Sequence, residues 1–385
     1  MSASTANGSV IPRSLSEAAA ALAGAAARKR PVRIVGGATK LGWGGIPPPD
    51  ALQLQTAHLD RVVVQGDGET ATLSAGTPLV RAQAILARSG RMFAADPHLG
   101  LGQRPAATVG GVIATADSGP LSHRYGPVRD QVIGITAAIS DGTLIRTGPR
   151  SSAQQDGYDV AKLLTGSYGT LGVILTVDVR LRPLPTQTAT ALGSSADPDA
   201  LQRAVTAIGA AHPGLEAFDV AWREGRGGLL AQLTGSEASV RAEAVAETMS
   251  GCGLEAAPVR AIDADLWARQ RAGQRSPERA VMRVHARREE LSAVLALADE
   301  VGATLVGRAA LGIAYLALDV DRIAAARTGL PAGTPAVVTD IPPAARGAVD
   351  AWGVTSGPQL ELMRAVKQRF DPAGICNPGI FVGSI

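Results

Sequence analysis

The sequence predicts an α+β fold, split between a glycine-dense first half and a second half in which helices alternate with strands. Three observations carry this. Before about residue 185, short β-type runs are joined by tight turns such as Gly66-Asp67-Gly68 and Asp141-Gly142, so the strands pair locally. Beyond that point, segments of helical period alternate with short apolar runs, the pattern of helices packed on one face of an antiparallel sheet. Hydrophobic residues make up 46% and charged residues 18% of the 385 positions. That is enough for buried cores in two to three domains of roughly 150 residues and excludes disordered and fibrous classes.

Taken in order, the alanine-rich stretch Ala18 to Ala27 reads as a helix. Glu17 stands at its head and Arg28-Lys29-Arg30 follow it, the reverse of a secretory signal's charge order. Val32 to Val35, Arg61 to Gln65 and Thr70 to Ala75 read as strands. A helix is expected from Pro78 to Ser89, capped by Thr77 and stopped by Gly90. Gln131 to Ser140 and Thr143 to Thr147 form a hairpin about Asp141-Gly142, and Val173 to Leu181 is a further alternating strand closed by Pro183-Leu184-Pro185. In the second half, helices are expected near 197–211, 236–250, 263–271 and 287–301. Strands are expected near 216–222, 229–234, 254–259, 280–286, 303–308 and 312–318. This reads as two consecutive three-stranded units, each with its helices on one face. Residues 330–343, rich in Pro, Gly and Ala, read as a connecting loop, and a last helix spans 358–369.

Composition and motifs exclude most simple functions. Thirty-seven basic against 34 acidic residues, with 3% aromatics, give neither an electrostatic footprint nor a stacking platform for nucleic acid. Cys252 and Cys376 cannot assemble an iron–sulfur or structural zinc cluster, and no apolar run of about 18 residues exists to span a membrane. The five histidines are each at least 25 positions apart, so no compact metal motif is present. There is no G-x-G-x-x-G, no P-loop, no G-x-S-x-G and no H-E-x-x-H. What remains is glycine in four clusters: 35–42, 108–119, 124–130 and 166–172. Each alone reads as a tight turn. Together, in one α+β half, they point to a nucleotide-type cofactor held by backbone amides.

The ordered blocks V-G-G-A-T at 35–39, T-V-G-G-V-I-A-T at 108–115, Y-G-P-V-R-D at 125–130, G-S-Y-G-T-L-G-V-I at 166–174 and F-D-P-A-G-I-C-N-P-G at 370–379 resemble FAD-linked oxidases of the vanillyl-alcohol-oxidase type. The run from Gly157 to Gly172, and the chain length, look most like the FAD-binding E subunit of bacterial glycolate oxidase. The resemblance implies a two-lobed PCMH-type FAD-binding domain over 1–187, an α/β-sandwich cap with an antiparallel sheet over 188–350, and a C-terminal segment, 351–385, returning to the first domain. Gly36, Gly37, Ala38, Thr39, Lys40 and Leu41 would wrap the pyrophosphate. Thr108, Gly110, Gly111, Thr115, Ser118, Gly119, Tyr125 and Gly126 would line the cofactor's flank. Gly169, Thr170, Gly172, Val173 and Ile174 would add backbone contacts, and Asn377 would sit by the isoalloxazine. No histidine lies in 35–45, so the FAD is expected to be non-covalent, with His98 and His123 the residues to suspect otherwise. Gln154-Gln155-Asp156 depart from the family pattern, and Tyr168 replaces a common glutamate.

Oxidation of a 2-hydroxy acid needs a cation for the carboxylate and a base for the hydroxyl proton. The histidine-rich metal-binding stretch of related catalytic subunits is absent here, so no metal is expected. The candidates left are Arg283 and His285, two apart on one strand face, and Arg308 with Tyr315. A solvated basic strand face is the competing reading. Cys376 reads as a buried small hydrophobe and Trp43 as a packing residue. The resemblance implies a glycolate-oxidising complex that passes electrons to quinone. Its partners would be a sibling FAD subunit bearing the metal-binding histidines and an iron–sulfur subunit. Its location would be cytoplasmic, at most peripheral to the inner membrane face through those partners. A free-standing FAD-dependent dehydrogenase of another hydroxy acid or polyol, and a non-catalytic FAD-binding subunit, are the alternatives.

Overall fold

The computed structural model describes residues 8–66, 68–101, 106–148, 159–259, 263–353 and 356–385. Gly157 and the departure at 154–156 therefore lie outside the described residues. Among the described residues, two sheets and a short two-stranded pair, Arg91–Met92 with Arg182–Pro183, build the first half. Ser9–Val10, Leu52–Gln55 and Val32–Val35 form a parallel sheet with Leu52–Gln55 in the middle. Helix Leu15–Ala27 covers it, held by Ser14 at its N-cap and by buried Ala18, Leu22 and Ala25. The five-stranded sheet runs Val62–Val64, Thr70–Ser74, Val173–Arg180, Val132–Ala138, Leu144–Arg146, all antiparallel. Helices Leu79–Ala87, Val109–Thr115 and Val160–Leu164 pack on it through Leu79, Leu86, Ile113 and Leu164, each fully buried. Burying one such side chain is worth about 1.5–3 kcal/mol, so this core fixes the lobe.

The second half forms one eight-stranded antiparallel sheet, in the order Glu255–Pro258, Thr188–Ser195, Arg226–Thr234, Ala217–Arg223, Thr304–Arg308, Ile313–Leu318, Ala280–His285, Ala336–Asp340. The expected three-stranded units are thus four-stranded, joined edge to edge where Asp219 opposes Arg308. Two strands were hidden. Thr188–Ser195 is rich in small residues, and Ala336–Asp340 lies inside the stretch read as a loop, after a helix at Ile323–Gly329. Both are legible only through their partners.

Helices Pro198–Ala211, Ala238–Gly251, Leu291–Glu300 and Ile323–Gly329 bury one sheet face. Helix Ala264–Ala272, expected on that same face, crosses to the other. Its Trp267 packs on Ala217 and Leu230 and donates to Thr190 Oγ1 at 3.0 Å. Thr77 is not the cap of the Leu79–Ala87 helix: Pro78 holds that position, and the Thr77 hydroxyl donates instead to Arg61 O at 3.3 Å. At Asp141-Gly142 the hairpin turns over residues 139–143, with Ala138 opposite Leu144 and Gly142 in the left-handed region at φ 86°.

The chain's end closes on its beginning. Helix Pro358–Phe370 delivers the tail to strand Val32–Val35, where Val32 N donates to Ile375 O (2.7 Å) and Asn377 N donates to Val32 O (2.9 Å). Asp371 organises this turn, accepting from Ile375 N and Cys376 N. Lys367 donates both to Asp371 and to Thr170 O (2.7 Å), binding the tail to the 166–172 loop. Among the described residues no helix is long and apolar enough to cross a membrane.

Candidate functional site

A cleft, open at its mouth, runs between the two lobes of the first half. Gly36, Gly37, Ala38, Thr39, Lys40 and Leu41 line it, together with Thr108, Gly110, Gly111, Thr115, Gly169, Gly172, Ile174 and Asn377. The loop after strand Val32–Val35 is built to present amides. Among the described residues, no acceptor engages the N–H groups of Gly36 to Leu41. Unpaired backbone donors grouped on a concave wall make a receptor for an anion. Lys40, expected among the residues that wrap the pyrophosphate, has its charge already committed: its Nζ lies 3.1 Å from Asp117 Oδ2, with both side chains almost wholly buried.

Six other expected contacts lie elsewhere. Thr170 and Val173 are buried in the core, the threonine hydroxyl donating to Ser167 O. Ser118 Oγ accepts from Val128 N, and Gly119 packs on the Asp96 backbone. Tyr125 and Gly126 sit toward the eight-stranded sheet, where the tyrosine hydroxyl donates to Glu216 at 2.8 Å. Asn377 lines the cleft, but its amide is used up by the fold. Oδ1 accepts from Ile34 N (2.8 Å) and Nδ2 donates to Tyr168 O (2.6 Å), stitching the tail to both walls. Arg33, Ile34, Trp43, Thr56, Ala75, Ala114, Tyr168 and Ile380 complete the lining and were not read from the sequence.

The sheet face away from the four covering helices carries the second group. Arg283 stands opposite Tyr315, Tyr315 opposite Val306, and Arg308 opposite Asp219. Burial alone would lower the pKa of Arg283, yet the Tyr168 and Tyr315 hydroxyls and the Asp117 carboxylate hold it above its ordinary value. Two of these neighbours tie Arg283 to the cleft, since Tyr168 lines it and Asp117 pairs with the lining residue Lys40. Among the described residues no carboxylate lies within ion-pair distance of Arg283, and its Nε has no partner. Arg308, fully buried, pairs with Asp219 and lies 5.9 Å from the Tyr315 ring centroid, leaving one Nη unpartnered.

Asp219 and Asp96 were not singled out from the sequence. Burial raises Asp219 most, Arg308 opposes it and Asp96 adds to it, leaving the carboxyl up at about 7. Burial likewise lifts Asp96 to about 6, against the pull of Arg271 at 3.5 Å. Burial also raises Tyr315. His285, by contrast, sits at the exposed end of its strand. His98 is half-buried, with Nδ1 accepting from Gly100 N at 3.0 Å, and His123 lies edge-on to Phe218. Cys376 is fully buried, and that burial drives its thiol pKa far up.

Comparison with known proteins agrees with this layout. Residues 6–148 match the FAD binding domain family, and residues 354–380 match the C-terminal domain of FAD linked oxidases. The chain is 34% identical over 174 residues to a D-lactate dehydrogenase of Archaeoglobus fulgidus, covering 45% of this chain and 38% of that one. It is 36% identical over 115 residues to glycolate oxidase subunit GlcE of Escherichia coli, covering 30% of this chain and 32% of that one. These alignments span well under half of each relative. In three dimensions the glucooligosaccharide oxidase of Acremonium strictum superposes with a TM-score of 0.70 at 14% identity, covering 98% of this chain and 91% of that one.

Proposed function

We propose that this chain, an FAD-binding member of the FAD-linked oxidases, oxidises a small 2-hydroxy acid such as glycolate or D-lactate to the 2-oxo acid. The observation that carries the reading is Arg283, a largely covered guanidinium with no carboxylate partner on the sheet face beside the cleft. Its neighbours keep it charged while its Nε has no partner, so a substrate carboxylate can take the free donor in a charge-assisted hydrogen bond.

The cleft suits the cofactor. Its unpaired amides fit a diphosphate, and its apolar floor of Ile34, Ala75, Ala114 and Ile174 fits a flat ring system. When bound, FAD would supply a two-electron acceptor for the Cα hydrogen, and the chain's own part is to take up the hydroxyl proton. We place that proton on Asp219. Its pKa near 7 suits a base, Oδ1 is unpartnered, and Arg308 fixes its orientation through Oδ2. Tyr315, its pKa raised by burial, is suited to donate a hydrogen bond rather than to accept a proton. The FAD is held without a covalent bond. Electrons leave through an iron–sulfur subunit in a complex that also holds a sibling flavin subunit; the likeness to the glycolate oxidase subunits GlcD and GlcE supports the multisubunit part of this reading.

The first experiment is the visible spectrum of the purified chain before and after acid precipitation, followed by reduction of an artificial acceptor with glycolate or D-lactate. Flavin bands released wholly to the supernatant, with turnover, are expected. A chain that takes up no FAD would end the proposal, and an FAD-loaded chain inert toward hydroxy acids would leave a non-catalytic subunit. Rates should rise as pH passes through about 7, because Asp219 must be ionised to act. Stability should move the other way. In the unfolded chain an aspartate ionises near about 3.9, so holding the folded carboxyl at about 7 costs increasing stability from pH ~4 to ~7. Asp219→Asn should abolish the acid limb of the rate profile and flatten that stability slope. A limb that persists near 7 in the variant would place the base elsewhere.

A further inference from the structure

The loop that presents amides to the cleft is held by three arginines: Arg33 from the cleft wall, and Arg275 and Arg346 from distant parts of the chain. Arg33 and Arg346 each donate an Nη2 hydrogen bond to Leu41 O at 2.9 Å, and Arg346 also reaches Gly45 O at 3.3 Å. Arg275 comes from the cap, just beyond helix Ala264–Ala272, and donates Nη2 to Thr39 O at 3.0 Å. Arg275 is itself fixed. Asp340, on the edge strand Ala336–Asp340, accepts from its Nε at 2.6 Å and from its Nη2 at 2.9 Å. The same carboxylate accepts from Trp43 Nε1 at 3.0 Å, and the guanidinium carbon lies 5.1 Å from the Trp43 ring centroid. Both side chains of the ion pair are nearly inaccessible to solvent, at 5% and 9%.

We infer that Arg275 is a positioning residue for the cofactor diphosphate, through which the cap sets the conformation of the loop. In a trans peptide the C=O and the following N–H point in opposite directions, and no cis bond occurs among the described residues. Fixing Thr39 O toward the cap therefore turns the Lys40 N–H away from it, and fixing Leu41 O does the same for Gly42 N–H. The loop needs this outside hold because Lys40, its one charged side chain, is spent on Asp117, and because Ala38 sits in the left-handed region at φ 59°, which a non-glycine residue adopts only under constraint. Arg275 is absent from the cleft lining and acts on it only through the lining residues Thr39 and Trp43, its charge balanced by Asp340. Its effect falls on ligands that carry the diphosphate.

The inference rests on the reading of 36–41 as the pyrophosphate loop, and the test separates the two. Dissociation constants for FAD and for FMN, which has the flavin without the diphosphate bridge, are measured on the apo-protein by flavin fluorescence. Wild type should bind FAD far more tightly than FMN; equal affinities would overturn the loop reading itself. Arg275→Met should weaken FAD about tenfold or more and leave FMN within about twofold, with Arg275→Lys recovering part of the loss because a lysine still reaches Thr39 O. Asp340→Asn keeps an acceptor for Trp43 and removes the anchor charge; it should weaken FAD about threefold even if Arg275→Met folds poorly. An unchanged ratio of FAD to FMN affinity in well-folded variants, or equal losses for both ligands, would overturn the role of Arg275.

Discussion

Arg283→Met is expected to lower kcat/KM for a 2-hydroxy acid by roughly 10²–10⁴-fold while leaving the FAD content unchanged. The size follows from stranding a desolvated carboxylate. Removing one partner of a buried ion pair costs about 3–5 kcal/mol, and each 1.36 kcal/mol is about tenfold in rate. Flavin retention follows from placement: Arg283 lies on the eight-stranded sheet opposite Tyr315 and is absent from the cleft lining. Arg283→Lys should recover little, because a point charge cannot reproduce the planar fork that grips a carboxylate. The check is steady-state kinetics with glycolate and D-lactate, beside flavin-to-protein absorbance ratios. A variant that keeps wild-type kcat/KM would move the carboxylate site to another cation, with Arg308 the first to test. Arg308 is the weaker choice, since Asp219 already balances its charge.

The fold was legible wherever a local rule decides it. The strands around 32–35, 62–64, 70–74 and 173–180 are rich in β-branched residues with glycine or proline close by, and nothing distant is needed to identify them. The amide-presenting loop was legible too, because consecutive glycines after a strand have few other uses. What escaped depends on partners far along the chain. Strand Thr188–Ser195 is held by Arg226–Thr234 on one side and Glu255–Pro258 on the other, and its own small residues give no signal. Arg275 reads as one surface arginine among many until Asp340, 65 positions on, and Thr39, 236 positions back, are brought to it. Asp219 looks like the polar member of an alternating strand; only burial beside Arg308 and Asp96 makes it a titrating group near neutrality. Asn377 shows the converse. The motif placed it at the cleft, and the hydrogen bonds show why the motif contains it: both faces of its amide are consumed by backbone at Ile34 and Tyr168.

Gly37→Ala should abolish FAD binding, raising the dissociation constant by more than about 100-fold with the secondary structure intact. A Cβ at Gly37 would fall 1.5 Å from Ala106 O and 2.6 Å from its carbonyl carbon. Both are backbone atoms, so no side chain can swing aside, and the loop or the segment before Thr108 must shift by more than an ångström. Thr108 would shift with that segment: it lies in the cleft wall and caps the Val109–Thr115 helix. Either movement turns the amides of 36–41 off a common focus, and misplacement by about 1 Å is enough to cost two orders of magnitude. Gly42 supplies the control, because a Cβ there meets nothing within 4 Å and its φ lies outside the left-handed region. Gly42→Ala should therefore bind FAD as wild type does. Equal weakening by the two substitutions would mean that the loop needs flexibility rather than the close approach of Gly37 to Ala106, and would shift the cofactor argument from the amides to the apolar floor of the cleft.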